Sequence, residues 1–131
     1  MSSSAKKPGP RRHQPIYKSF GYAFCGIWEC IRDERNIRIH LTMTTLVIIG
    51  GIILRISLFE WIICLMLFGL VISLELVNTA IESTVDLVTE EKRPLAKKAK
   101  DTAAGAVLVS AIFAAIIGFI IFVPKIIAFF K

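Results

Sequence analysis

Apolar side chains divide this chain into a polar start, an amphipathic stretch and three long apolar runs. From Ile16 to Asp33, Phe20, Phe24, Ile27, Trp28 and Ile31 recur at helical intervals and so share one face. Lys18, Tyr22, Cys25, Glu29, Arg32 and Asp33 occupy the remaining surface. Such a helix is too short and too charged to cross a bilayer, and the pattern predicts that it lies in the membrane interface. Packing of the same apolar face on other protein is the alternative. The runs Ile37 to Leu54, Leu58 to Leu76 and Ala103 to Val123 can each cross a hydrocarbon core of about 30 Å, which takes roughly 20 helical residues. The predicted fold is therefore all-α and integral to the membrane. It has a surface helix over 16–33 and transmembrane helices over 36–55, 57–76 and 95–123.

The second of these helices is predicted to outlast its apolar run. No Gly or Pro interrupts Leu74 to Val88, and Leu76, Val77, Ala80, Ile81, Val85, Leu87 and Val88 keep the helical pattern to residue 88. Glu90 to Pro94 supplies the turn, with Pro94 near the first position of the next helix. That last helix carries Ala103, Ala104, Gly105, Ala106, Ala111, Ala114, Ala115 and Gly118. Small residues let helix backbones approach closely in lipid, so it is expected to be a central packing helix.

Composition agrees with a membrane protein: 131 residues, 55% of them hydrophobic, with a formal net charge of +6. Residues 1–15 are polar, basic and rich in Ser, Pro and Gly, which reads as a disordered tail attracted to the bilayer rather than a cleaved signal peptide. Lys6, Lys7, Arg11, Arg12, Lys18, Arg32, Arg35 and Arg38 lie at or before the start of the first span, and Lys92, Arg93, Lys97, Lys98 and Lys100 lie between the second and third. Only Arg55, Lys125 and Lys131 remain for the other side, which predicts a cytoplasmic N-terminus and an external C-terminus. Because the charges follow membrane topology, anionic lipid accounts for them and nucleic acid is not expected as a partner. Cys25, Cys30 and Cys64 lack metal-ligand spacing and read as packing cysteines.

The chemistry is concentrated in Glu75-Leu-Val-Asn78-Thr-Ala-Ile-Glu82-Ser-Thr-Val-Asp86. At about 100° per residue, Glu75, Asn78, Glu82 and Asp86 share one helix face. Carboxylates are costly near the bilayer core, so something cationic must meet that face. Leu58 to Glu75 rises roughly 26 Å, which puts Glu75 just under the cytoplasmic boundary, where a lipid hydroxyl lies. Glu82 and Asp86 follow roughly 10 and 16 Å further on, within reach of water-soluble ligands. Lys97, Lys100 and Asp101, at the cytoplasmic end of the last helix, and Glu34, just before the first span, are placed to complete the cluster. An oxygen-only set such as Glu34 and Glu82 with nucleotide phosphates suits Mg²⁺, lysine suits phosphate, and a carboxylate beside a hydroxyl can accept its proton. An interhelical salt-bridge network with Arg35, Arg38 and Lys100 accounts for the same face without chemistry. No Walker-type phosphate loop or protein-kinase motif set occurs, so a nucleotide must bind at this membrane-edge cluster or not at all. His40, Trp61 and Tyr17 read as interfacial anchors.

Four signatures together resemble the prokaryotic diacylglycerol kinase family, particularly its undecaprenol kinase branch. They are Gly21-Tyr22-Ala23-Phe24, Glu34-Arg35-Asn36-Ile37-Arg38-Ile39-His40, Glu75 to Glu82 with Asp86, and Ala99-Lys100-Asp101-Thr-Ala-Ala-Gly105-Ala106-Val107. The resemblance runs from about Phe20 to Val123. It implies a homotrimer with shared active sites in a bacterial inner membrane. It also implies Glu75 as general base, Asn78 ordering the catalytic face, Glu34 and Glu82 as Mg²⁺ ligands, and Tyr22, Lys100 and Asp101 as ATP contacts. Asp86 and Lys97 join the nucleotide-binding candidates by position. Where relatives carry an Arg ahead of the surface helix this chain has Pro15, so Arg12 or Lys18 is expected to serve instead. The expected activity is Mg²⁺-ATP-dependent phosphorylation of undecaprenol. Diacylglycerol is the alternative substrate, and a non-enzymatic membrane protein with a structural or ion-binding acidic cluster is the alternative class.

Overall fold

Four helices make up the computed structural model, which describes residues 15–131: α1 (Ile16–Asp33), α2 (Arg35–Ile53), α3 (Leu58–Val88) and α4 (Pro94–Phe129). The predicted basic tail, apart from Pro15, lies outside the described residues. Helices α2, α3 and α4 are each long and apolar enough to cross a membrane. Many of their Ile, Leu and Phe side chains point outward, as they do where lipid rather than water is the solvent. Thr42 and Thr45 sit within α2 at no polar cost, because their hydroxyls donate to the carbonyls of Arg38 and Leu41.

The apolar face of α1 does not pack on the rest of the chain. Phe20, Phe24 and Trp28 are 61%, 69% and 65% exposed, and Cys30 is the one buried residue of the helix. That face is therefore left for lipid or for another chain to cover.

A tight turn joins α2 to α3. Arg55 adopts a left-handed conformation (φ 51°), a strained choice for a residue with a Cβ, and Ile56 is buried directly after it. Ser57 then caps α3: its hydroxyl accepts the Glu60 N–H, and the Glu60 carboxylate accepts the Ser57 N–H at 2.6 Å. Gly51 is required here because Trp61 lies over it. A Cβ at residue 51 would stand 2.8 and 2.9 Å from Trp61 ring atoms and 3.0 Å from Ile56. Ile56, Cys64 and Ile121 form the core at this end, with Trp61 packed against them.

Helices α3 and α4 form an antiparallel hairpin and the most extensive helix pair. An ion pair marks each end: Lys125 to Glu60 at 3.1 Å, and Lys100 to Asp86 at 2.6 Å. The α3 residues of the two pairs are 86 − 60 = 26 positions apart and the α4 residues 125 − 100 = 25, so the register holds along the full length. At about 1.5 Å per residue the pairs stand roughly 38 Å apart, more than the hydrocarbon thickness and less than a whole bilayer. By the same register Glu75 is level with Ser110 and Glu82 with Ala103. Ala103, Val107, Ser110 and Ile121 are the residues α4 buries.

Two expectations are corrected. The last helix runs through Pro124 to Phe129 instead of ending at Val123. Its continuation is favoured because an unpaired backbone group in lipid costs several kcal/mol, comparable to the roughly 3 kcal/mol penalty of an interior proline. The central packing helix is α3, which touches α1, α2 and α4, whereas α4 packs substantially on α3 alone. The small residues of α4 extend beyond the face that α3 covers: a Cβ at Gly105 or Gly118 would meet nothing within 4 Å.

The Trp61 contact gives a direct test. Gly51→Ala is expected to destabilise the α2–α3 hairpin by about 1–3 kcal/mol, since a rigid indole must move to admit the methyl group. Thermal unfolding in detergent measures this, and an unchanged midpoint would contradict the packing.

Candidate functional site at the inner end of α3

Glu75 is 2% exposed, which makes it one of the two most deeply buried large side chains of the chain. The other is Ile37 at the start of α2, so α2 enters the bundle against the same region. Burial of a carboxyl to this degree requires polar neighbours. Asn36 and His40, one turn apart on α2, and the acidic Glu34 and Glu82 are the polar groups close enough to act on its carboxyl. Asn78, 6% exposed, follows one turn later and donates to Glu82 at 3.0 Å. Its carbonyl oxygen Oδ1 is buried and has no hydrogen-bond partner. A buried amide oxygen left unpaired costs about 1–3 kcal/mol, so this one points to a donor or cation supplied from outside the chain.

Thr79 joins this face to α1. Its hydroxyl lies 3.1 Å from the Glu75 carbonyl and 3.3 Å from Cys30 Sγ. Between α1 and α3 opens a cleft of about 590 Å³, lined in part by Gly26, Cys30, Glu34, Leu76, Thr79 and Ser83. Beside it, two hydrogen bonds from Arg32 hold the Asp33 carboxyl below the usual carboxylate range, which commits Arg32 to Asp33 and leaves Glu34 outside that pair.

A second group lies where the C-terminal end of α3 meets the start of α4. A cleft of about 620 Å³ is lined there by Asp86, Lys97, Lys100 and Asp101, with Lys92 and Arg93 from the turn. Lys100 pairs with Asp86, and Lys97 pairs with Asp101.

The predicted residues are thus brought together as two groups. Glu34, Glu75, Asn78 and Glu82 gather where α1, α2 and α3 meet, and Asp86, Lys97, Lys100 and Asp101 gather between α3 and α4. Tyr22 is 67% exposed on α1 and hydrogen-bonds none of them. Lys18 is also exposed, and Arg12 lies outside the described residues. The salt-bridge alternative does not form as expected: among the described residues only Lys100 pairs with the acidic face, while Arg38 donates to the Arg32 carbonyl. Asn36 and Thr79 were not anticipated. The spacing of Asn36 and His40, which puts both on one face of α2, carried the signal for the first; nothing in the local pattern around Thr79 singles it out.

Among the described residues no group of three or more His, Cys, Asp or Glu is gathered as a ready-made metal cage. Mg²⁺ commonly takes one or two protein carboxylates, with water and phosphate oxygens completing the shell. Glu34, Glu82 and the unpartnered Asn78 oxygen fit that pattern, being oxygen donors only.

These features define a small helical membrane protein with a carboxyl-rich site where its central helix leaves the apolar core. The description of prokaryotic diacylglycerol kinases matches residues 21–122, and the chain belongs to that family. It is 52% identical over 110 residues to an undecaprenol kinase of Bacillus subtilis (strain 168), covering 84% of this chain and 89% of that protein. It is 38% identical to a diacylglycerol kinase of Synechocystis sp., covering 95% and 77% of the two chains. A diacylglycerol kinase of Helicobacter pylori (strain J99) is 31% identical over 89% and 91%.

The Asp86–Lys100 side chains are 57% and 36% exposed, and exposed ion pairs contribute about 0–1 kcal/mol. Asp86→Asn is therefore expected to shift unfolding by less than about 1 kcal/mol. A larger shift in thermal unfolding would show that the pair holds the hairpin rather than lining a ligand site.

Proposed function

We propose that this protein transfers the γ-phosphoryl group of ATP to the hydroxyl of a membrane lipid, and that the lipid is undecaprenol. The observation that carries the reading is Glu75: a deeply buried carboxyl, with no Lys or Arg ion pair among the described residues, beside an unpaired amide oxygen and near the polar edge of the membrane. Choice of a polyprenol over diacylglycerol rests on the 52% identity to an undecaprenol kinase.

In this reading Glu75 accepts the proton of the lipid hydroxyl as its oxygen bonds to the γ-phosphorus. The bond from that phosphorus to the bridging oxygen breaks, and ADP leaves. Asn78 holds Glu82 through its amide N–H and leaves Oδ1 free to orient a donor on the bound substrate. Glu34 and Glu82 would hold Mg²⁺, which supplies charge neutralisation for the phosphates when bound. Lys97, Lys100, Asp86 and Asp101 bind the nucleotide, the lysines as point charges for phosphate, with Tyr22 as a further contact. The active unit is a homotrimer in a bacterial cell membrane, with N-terminus cytoplasmic and C-terminus outside. The uncovered small-residue face of α4 and the division of the site between two clefts support sharing of residues between copies.

Labelled ATP supplied to the full chain in mixed micelles, with polyprenol and diacylglycerol in parallel, is expected to label polyprenol faster. Transfer to diacylglycerol alone would reassign the substrate, and transfer to neither would end the kinase reading. Glu75→Gln is expected to retain ATP binding and lose turnover by orders of magnitude; near-normal turnover would remove Glu75 as base. Glu34→Gln and Glu82→Gln are expected to raise the Mg²⁺ concentration for half-maximal rate, and an unchanged titration would remove them as ligands.

A further inference from the structure

We infer that Cys30 and Thr79 form a clasp between α1 and α3 that sets Glu34 relative to Glu75, so that both act as positioning residues; this rests on the roles proposed for those two carboxylates. Three hydrogen bonds run in series from one carboxylate's backbone to the other's. The Glu34 N–H donates to the Cys30 carbonyl at 2.9 Å, in the turn that ends α1 and presents Glu34. Cys30 Sγ lies 3.3 Å from Thr79 Oγ1, and Thr79 Oγ1 lies 3.1 Å from the Glu75 carbonyl. A hydroxyl has one hydrogen. Thr79 uses its hydrogen on Glu75, so the thiol is the donor and the bonds all point the same way, from Glu34 to Glu75.

The rest of the α1–α3 boundary is poorly suited to hold that spacing. The cleft of about 590 Å³ separates Gly26 and Ile27 from Leu76 and Ser83, and Gly26 has nothing within 4 Å of where a Cβ would be. Among the described residues the thiol–hydroxyl bond is the only hydrogen bond between α1 and α3. Cys30 is 5% exposed and is the single residue α1 buries. Around α3, Thr79 lies about 40° from Glu75 and about 60° from Leu76, on the seam between the acidic face and the cleft. Helix α1 is thereby tied to the residue that accepts from Thr79, the candidate base itself.

The test uses the full chain in mixed micelles. Cys30→Ala and Thr79→Val, which remove donor or acceptor, are expected to raise the half-saturating Mg²⁺ concentration and lower kcat by roughly three- to tenfold each, with KM for the lipid unchanged. Cys30→Ser and Thr79→Ser keep a hydroxyl at each place and are expected to restore wild-type values. The double variant Cys30→Ala with Thr79→Val is expected to lose no more than the worse single variant. Wild-type Mg²⁺ dependence and kcat in Cys30→Ala, or multiplying losses in the double variant, would overturn the clasp. Glu75→Gln in the same assay separates the two levels: if it is inactive while Cys30→Ala is normal, only the clasp fails, and if it turns over normally the kinase roles fail. Should the Ala and Val variants not fold, the infrared S–H stretch of the native protein decides. The band lost in Cys30→Ser must lie at a hydrogen-bonded frequency, and a free-thiol frequency would overturn the proposal.

Discussion

A carboxylate facing hydrocarbon costs on the order of 3 kcal/mol or more, and this chain places Glu75 on the one helix that touches all the others. Much of the inner half of the molecule follows from that constraint. Helix α2 starts with Asn36 and His40 near the carboxyl and buries Ile37 completely. Helix α4 packs Ala103, Val107 and Ser110 toward α3, with Ser110 level with Glu75. The polar end of α3 then continues to Val88, which carries Glu82 and Asp86 away from the apolar zone instead of ending the helix within it.

The two ends of the α3–α4 hairpin are handled differently, and the difference separates structure from chemistry. At the outer end Glu60 meets Lys125 while also closing the cap of α3, and both side chains are about a quarter exposed. The Glu60 carboxylate is thus satisfied by the chain itself. At the inner end the ion pairs are open to solvent, two clefts flank them, and a buried amide oxygen has no partner. Polar groups satisfied by the chain alone hold a fold together; polar groups left incomplete beside open space are where a second molecule is expected.

Most of the architecture was legible because lipid imposes simple rules on sequence. Length and apolarity mark α2, α3 and α4, and the absence of Gly and Pro from Leu74 to Val88 marks the long inner extension of α3. The end of α4 was not legible, because Pro124 ordinarily stops a helix and only the demand for internal backbone pairing in lipid overrides it. Ser57-Leu-Phe-Glu60 was a readable capping box that the apolar run around it obscured. The gathering of Glu75, Asn78 and Glu82 on one face follows from helical periodicity alone. The entry of Asn36 and His40 into that group depends on how α2 packs, and the link from Cys30 to Thr79 spans 49 positions with no periodicity to announce it.

A phosphoryl-transfer site asks little covalent chemistry of a protein; it asks that charge be placed correctly and held. A four-helix chain without a phosphate loop can meet that demand only if its few elements are rigid relative to one another. The α3–α4 pair has this rigidity from packing along its whole length. Helix α1, whose apolar face is exposed, has less of it from packing, yet it ends at Glu34. Glu34 is held on one side by α2, whose Ile37 is buried completely, and the contact from Cys30 to Thr79 holds it on the other. A weak thiol–hydroxyl contact suits that purpose because it need not stabilise the fold, only fix a spacing that the packing of α2 already narrows.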